Sequence, residues 1–331
     1  MNTTIKGLLV TSTILLGGAS ADAAPYGQYY GFGDSLTDTG RVFRETGYDA
    51  PGTFGAQLFN APGIYEGGRW SNAPNYFEVV PSLIGVPSAP QNSFAIGGAQ
   101  SIRQAPNPLL SPTFAWGLPD QIDTFAARVG QFAPNDLINV WIGYNDLSQI
   151  PTTATQAEQS AGIASIVSNT TSAITSLAGL GGREFVVFNQ QTFRPDGRGA
   201  LALELNVELG EALQPLSASG LAIRYFDVNS VLNELRANPT AYGFLPNAGT
   251  VACNADPACA PDGAATGLED RYISPEGIHL TGRANIIVAQ ALASELNASV
   301  AVPEPASLAL LAAALAGIVG ASRVRRRQTH T

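Results

Sequence analysis

Short apolar runs alternate with long helical repeats through most of this chain, and that alternation restricts the fold more than any other feature. Gln28 to Phe32, Leu137 to Ile142 (LINVWI), Glu184 to Asn189 (EFVVFN) and Ile223 to Val228 (IRYFDV) each have strand length and the continuous apolar character of a fully buried strand. Between them, Ala157 to Leu177 carries Ile163, Ile166, Val167, Ile174 and Leu177 on one stripe, and Leu201 to Leu216 repeats the pattern with Leu205, Leu209 and Leu213. A last helix is expected to start near Thr281, a candidate N-cap, and to run through Ile287, Val288, Ala291, Leu292 and Leu296. Strands this short, joined by helices this long, predict a parallel sheet covered by helices on both faces.

In such a sheet the working residues gather at the carboxyl ends of the strands. Ser35, in GFGDSLTDTG, follows the first strand; Gly97 and Gly98 follow the short segment Ser93 to Ile96; Asn145 follows LINVWI in the expected loop GYNDL. A serine needs a base to become a nucleophile, and the chain has two histidines, His279 in PEGIHLTG and His330 in the final residues. Ser35 with His279 points to nucleophilic acyl transfer. With the Ser35 N–H, the N–H of one of these glycines and the Asn145 side-chain amide, three donors would face a developing oxyanion. Asp34 and Asp38 are expected to serve the turn around Ser35, and Trp70, Phe114 and Trp116 the core or a pocket wall.

Both ends carry targeting patterns. Lys6, the apolar run Gly7 to Gly18 and the small residues Ala21 to Ala24 predict a signal peptide over 1–23, against the alternative of a buried first helix. At the other end Val302-Pro303-Glu304-Pro305 precedes the uncharged run Ala306 to Ser322, closed by Arg323, Arg325, Arg326 and Arg327. That order predicts transient membrane anchoring through Ala306 to Ser322 with the arginines on the cytoplasmic side. One catalytic domain is expected over 24–300, with 301–331 as a sorting segment. A formal net charge of −9 argues against a phosphate backbone as partner, so no nucleic acid is expected. Cys253 and Cys259, the two cysteines, would oxidise in an exported chain and pin the loop before His279; their spacing is not that of a metal site, and no metal is expected.

Four blocks carry a resemblance. FGDSLTDTG around Ser35, SFAIGGA around Gly98, WIGYND around Asn145 and EGIH around His279 are similar, in order and spacing, to those of the GDSL, or SGNH, esterase and lipase family. Gly68-Arg69-Trp70-Ser71-Asn72 and Leu118-Pro119-Asp120-Gln121-Ile122 extend the match to the branch that includes plant GDSL lipases, autotransporter esterases and thermolabile haemolysins. The resemblance implies a flavodoxin-like three-layer α/β/α sandwich of about five parallel strands, without metal or organic cofactor. It implies Ser35 as nucleophile, His279 as general base, and Ser35, Gly98 and Asn145 as the oxyanion hole. The larger α/β-hydrolase family is disfavoured because G-x-S-x-G is missing. The C-terminal segment resembles the PEP-CTERM sorting signal of exopolysaccharide-producing Gram-negative bacteria, which implies exosortase cleavage near Pro303 to Pro305 and a released or surface-attached product; a plain membrane anchor is the alternative.

The chain departs from the family pattern where the catalytic acid is due. The family has aspartate three residues before the histidine, and Glu276 stands there. Glu276 is the first candidate to orient His279, Asp270 the second, and a serine–histidine dyad oriented by a backbone carbonyl the third. Arg41 and Ser93 also depart, each where the branch usually has asparagine. The function implied is an exported serine esterase or lipase acting on acyl esters, with deacetylation of exopolysaccharide, or a non-catalytic surface or matrix protein on the same fold, as alternatives. Ala105 to Pro119, apolar and proline-rich, is a candidate wall for an acyl chain.

Overall fold

The four apolar runs form the four strands of one parallel sheet. In the computed structural model, which describes residues 25–60, 63–259 and 266–300, these are β1 (Tyr29–Gly33), β2 (Leu137–Trp141), β3 (Glu184–Phe188) and β4 (Ala222–Phe226), paired in that order across the sheet. Tyr29 lies opposite Leu137, Leu137 opposite Glu184, and Glu184 opposite Ala222, so the strands start together and their carboxyl ends form one edge. About five strands were expected. The fifth position, beside β1, is held by the Ser93 to Ile96 segment through one parallel bridge, Gly31 to Ser93, with the Phe94 N–H donating to Gly31 O at 2.7 Å and Ile96 N–H to Gly33 O at 3.3 Å. The segment turns away at Gly97 before a full ladder forms, as short edge strands commonly do.

The chain continues through α1 (Arg41–Thr46), a helical turn at Pro51–Gly55, α2 (Ala56–Leu58), α3 (Tyr76–Leu83), α4 (Leu118–Arg128), α5 (Tyr144–Gln149), α6 (Gln156–Gly179), α7 (Gly199–Ala218), α8 (Val228–Ala237) and α9 (Gly282–Val300). Strand side chains alternate between two cores. Tyr29, Leu137, Trp141, Val186 and Phe188 face α3, α8 and α9, while Tyr30, Phe32, Ile138, Val140, Phe185 and Val187 face α4, α6 and α7. The result is a three-layer α/β/α sandwich. Gly31 is required by a close approach, since a Cβ there would stand 2.6 Å from the Phe77 ring of α3.

Two expected boundaries differ. Val228 belongs to α8 rather than to the fourth strand, because Asp227 accepts the Ser230 N–H at 3.0 Å and caps a helix at that point. Thr281 is not a side-chain cap: its hydroxyl donates to Tyr272 O at 2.7 Å. The free N–H groups of α9 go instead to distant residues, Gly282 to Asn72 Oδ1 at 3.0 Å and Arg283 to Asp270 Oδ1 at 3.2 Å. The expected signal peptide (1–23) and sorting segment (301–331), with Ala306 to Ser322, lie outside the described residues. Among the described residues no helix is long and apolar enough to cross a membrane.

Candidate active site

A turn follows β1 directly. The Asp34 N–H donates to Trp141 O at 3.3 Å, extending the pairing with β2, and Asp34 Oδ1 accepts the Leu36 N–H at 3.1 Å while its carbonyl accepts from Thr37 and Asp38. The turn holds Ser35 above the carboxyl edge of the sheet. Asp38 then reaches across to the neighbouring loop: Oδ1 accepts the Gly40 and Arg41 N–H groups at 2.9 and 3.0 Å, and Oδ2 accepts the Gly97 N–H at 2.9 Å.

Gly98 follows at φ 81°. A Cβ there would meet the Trp116 ring at 2.6 Å and Leu110 at 2.7 Å, so both the backbone conformation and the space demand glycine. The far side of this loop is tied to α5, where Asp146 accepts the Ser101 N–H at 2.9 Å and the Ser101 hydroxyl at 2.6 Å. Asn145 lies on the first turn of α5 and not in a loop, as its segment was expected to be; its Nδ2 donates to Ala99 O at 3.0 Å and the side chain lines the cavity over Ser35. Two buried aspartates thus fix the Gly98 loop between Ser35 and Asn145. Burial pushes the Asp38 carboxyl up, opposed by the N–H groups of Arg41, Gly97 and Gly40; burial pushes Asp146 up likewise, opposed by Ser101. Asp34 is raised to about 7 by burial, against the pull of the Leu36 N–H and of His279, and its Oδ2 has no partner among the described residues.

His279 sits on the loop that leads into α9, 3% exposed. Its Nε2 lies 2.8 Å from Ser35 Oγ, and its Nδ1 is in hydrogen-bond contact with Glu276 Oε1, which also accepts the His279 N–H at 2.8 Å. A carboxylate at Nδ1 holds the ring proton there and leaves Nε2 free to accept from the serine. Trp70 stacks on the imidazole at a centroid distance of 5.0 Å, and Phe59 and Tyr65 meet it edge-on at 5.8 and 6.1 Å. Burial, with the nearby Glu276 carboxylate, pushes the Tyr65 hydroxyl well above its ordinary range. Asp270 stands apart from the imidazole, holding Asn72 Nδ2 at 3.1 Å and the start of α9.

The loop that carries His279 has its own supports. Gln191, just past β3, donates from Nε2 to Ile278 O at 3.1 Å, and Ser274 Oγ accepts the Gly277 N–H at 2.6 Å. Cys253 and Cys259 form a disulfide whose segment docks on the Glu276 turn, with the Cys253 N–H donating to Ser274 O at 3.1 Å and Asn254 N–H to Pro275 O at 2.9 Å.

Ser35, Gly98, Asn145 and His279 line one cavity of about 150 Å³, walled otherwise by Phe54, Leu58, Phe59, Trp70, Leu110, Tyr144 and Ile278. A serine hydroxyl against an imidazole, the imidazole against a carboxylate, and N–H donors across the cavity are the parts an acyl-transfer reaction uses. Sequence reading passed over Asp146, although it neighbours Asn145 in the same block, and also Tyr65, Phe59 and Gln191. Nothing local marks the last three; they reach the site through tertiary packing.

A family model for GDSL-like lipases and acylhydrolases matches residues 29–292, and one for the PEP-CTERM protein-sorting motif matches residues 301–327. The sorting motif implies export, exosortase processing and a cell-surface or extracellular location. Comparison with curated protein sequences finds no match. Among solved structures the chain is similar to the M. smegmatis aryl esterase (14% identity, 82% of this chain and 99% of that one, TM-score 0.43). It is also similar to Est24, a carbohydrate acetylesterase from Sinorhizobium meliloti (14%, 82% and 99%, 0.40), and to a putative arylesterase from Agrobacterium tumefaciens (17%, 82% and 98%, 0.36). Matched from residue 29 to residue 292, this chain belongs to the GDSL-like lipase/acylhydrolase family and is an ester hydrolase.

Proposed function

We propose that the protein is an exported serine esterase that cleaves carboxylic esters by double displacement, with Ser35 as nucleophile, His279 as general base and Glu276 as the carboxylate that orients it. The observation that carries this reading is the unbroken chain Glu276 Oε1 to His279 Nδ1 and His279 Nε2 to Ser35 Oγ, opening into the cavity that Gly98 and Asn145 also line. As Ser35 Oγ bonds to the ester carbon, its proton passes to Nε2. The carbonyl oxygen becomes an oxyanion facing the N–H groups of Ser35 and Gly98 and the Asn145 amide. The carbon–oxygen bond to the alcohol breaks, with the Nε2 proton going to the leaving oxygen. Water, deprotonated by the same imidazole, then attacks the acyl-enzyme and releases the acid, returning the proton to Ser35.

Glu276 replaces the family aspartate by a longer side chain. The extra methylene is accommodated in the turn Ser274 to Gly277, where the Ser274 hydroxyl takes the Gly277 N–H and the Glu276 side chain is fully buried. In the domain organisation we infer, 1–23 is a signal peptide, 24–300 the hydrolase and 301–331 the segment that an exosortase removes, with Ala306 to Ser322 crossing the membrane until then. Ser35→Ala tests the assignment. Hydrolysis of a short p-nitrophenyl ester should fall by roughly 10⁴-fold or more, and fluorophosphonate labelling should be lost, while the circular dichroism of the fold is retained. Full activity in Ser35→Ala would overturn it.

A further inference from the structure

We infer that this enzyme takes short acyl groups on bulky alcohols, and that Leu110 sets the acyl length. The inference rests on the serine-esterase reading above and concerns only which substituent goes where. In the tetrahedral adduct on Ser35 the oxyanion faces Gly98 and Asn145. The leaving oxygen must collect its proton from His279 Nε2, so the alcohol departs on the imidazole side, past Phe59 and Ile278. The acyl substituent is left to the side away from the imidazole, where Leu110 lines the cavity.

That side is closed. Leu110 and the Trp116 ring pack directly against Gly98, and Trp70 runs beneath both loops, from its stack on the imidazole to Gly97, where a Cβ would stand 2.1 Å from the indole Nε1. Behind Leu110 lie the buried side chains of Val42, Ile96 and Trp116, so a long chain has no continuation in that direction. The whole cavity amounts to about 150 Å³. Against this wall there is room for a short acyl group and none for a fatty acyl chain. On the alcohol side, by contrast, Leu58 is 59% exposed and the rim is open to solvent, which leaves room for a large leaving group.

Leu110 is the replaceable part of this wall. It is only half-buried, packs at the margin of both the main core and the Val42, Ile96 and Trp116 cluster, and stands on an irregular segment between Ala105 and Trp116, so shortening it enlarges the cavity and removes no fully buried side chain. The experiment is a series of p-nitrophenyl esters from acetate to dodecanoate, measured as kcat/KM for the full-length chain and for Leu110→Ala, with fluorophosphonate labelling of Ser35 alongside. The native chain should peak between acetate and hexanoate and fall at least tenfold by decanoate. Leu110→Ala should raise the ratio of octanoate to acetate turnover at least tenfold. A native optimum at octanoate or longer, or a ratio unchanged within twofold in Leu110→Ala, overturns the inference while labelled, active enzyme leaves the serine-esterase reading standing. No hydrolysis of any ester together with no labelling removes both.

Discussion

The two halves of the candidate site are held in different ways. Ser35, Gly98 and Asn145 stand at the ends of regular elements, and buried carboxylates bind them to one another: Asp38 spans from the Ser35 turn to Gly97, and Asp146 from α5 to Ser101. Glu276 and His279 stand on a long irregular stretch between α8 and α9, held by a disulfide, a glutamine just past β3 and three aromatic rings. Ser35, Gly98 and Asn145, the proposed nucleophile and oxyanion donors, are therefore fixed by charge-assisted hydrogen bonds within the sheet edge. The base is fixed by what it docks against. Breaking the first kind of support should cost stability and rate together, and breaking the second should cost stability with much less of the rate.

The largest effect on the comparison is expected from the two clamps. Asp38→Asn and Asp146→Asn each remove charge from a buried carboxylate that accepts backbone N–H groups, and should lower unfolding free energy by about 1–3 kcal/mol. Because the Gly98 loop then loses its register, kcat should fall by roughly 10² with KM less affected. Urea denaturation and steady-state kinetics on the same preparations would show whether the two losses travel together; a stable, fully active Asp146→Asn would dissolve the distinction.

Asp34 gives the next effect, and it depends on pH. Its folded-state pKa of about 7 lies above that of an unfolded aspartate, so between pH 4 and 7 the folded chain holds a proton that the unfolded chain has released. Stability from this residue is present at low pH and declines as pH rises toward 7, at roughly 1.4 kcal/mol per pH unit as an upper slope. Asp34→Asn cannot release that proton, so its stability relative to the native chain should rise by on the order of a few kcal/mol between pH 4 and 8. A constant difference across that range would mean that Asp34 is ionised in the fold.

Opening the disulfide is expected to matter least for the rate. A loop this short contributes ~2 kcal/mol by chain-entropy reckoning, and Cys253→Ser with Cys259→Ser should cost about that much. The Ser274 and Gln191 contacts remain, so kcat should drop less than tenfold. A loss as large as that of the clamp variants would place the histidine loop under the same control as the serine side.

The same contrast explains what could be read from the sequence. β1 to β4, the helices α6 and α7 and the start of α9 were legible within a residue or two, because apolar periodicity is a local property that burial then preserves. That Ser35, Gly98 and Asn145 meet at one cavity was legible because Ser35 and Asn145 follow strands and Gly98 follows a segment beside β1, where a parallel sheet puts its exposed ends. The histidine side was legible only in part. Spacing put Glu276 ahead of Asp270 without deciding between them, and the fold separates them, sending Asp270 to Asn72 and the start of α9 and Glu276 to the imidazole. The expected Thr281 cap failed for the same reason, since Asn72 and Asp270, remote in sequence, took the N–H groups it would have served. The edge segment Ser93 to Ile96 is too short to announce a strand by pattern.

The account turns on which carboxylate serves His279, and one comparison decides it. Single-turnover acylation by a p-nitrophenyl ester should be slowed by roughly 10³- to 10⁴-fold in Glu276→Gln, whereas Asp270→Asn should stay within tenfold of the native rate and show only a lowered melting temperature. Loss of acylation in Asp270→Asn with Glu276→Gln near the native rate would contradict the geometry on which the proposed mechanism stands.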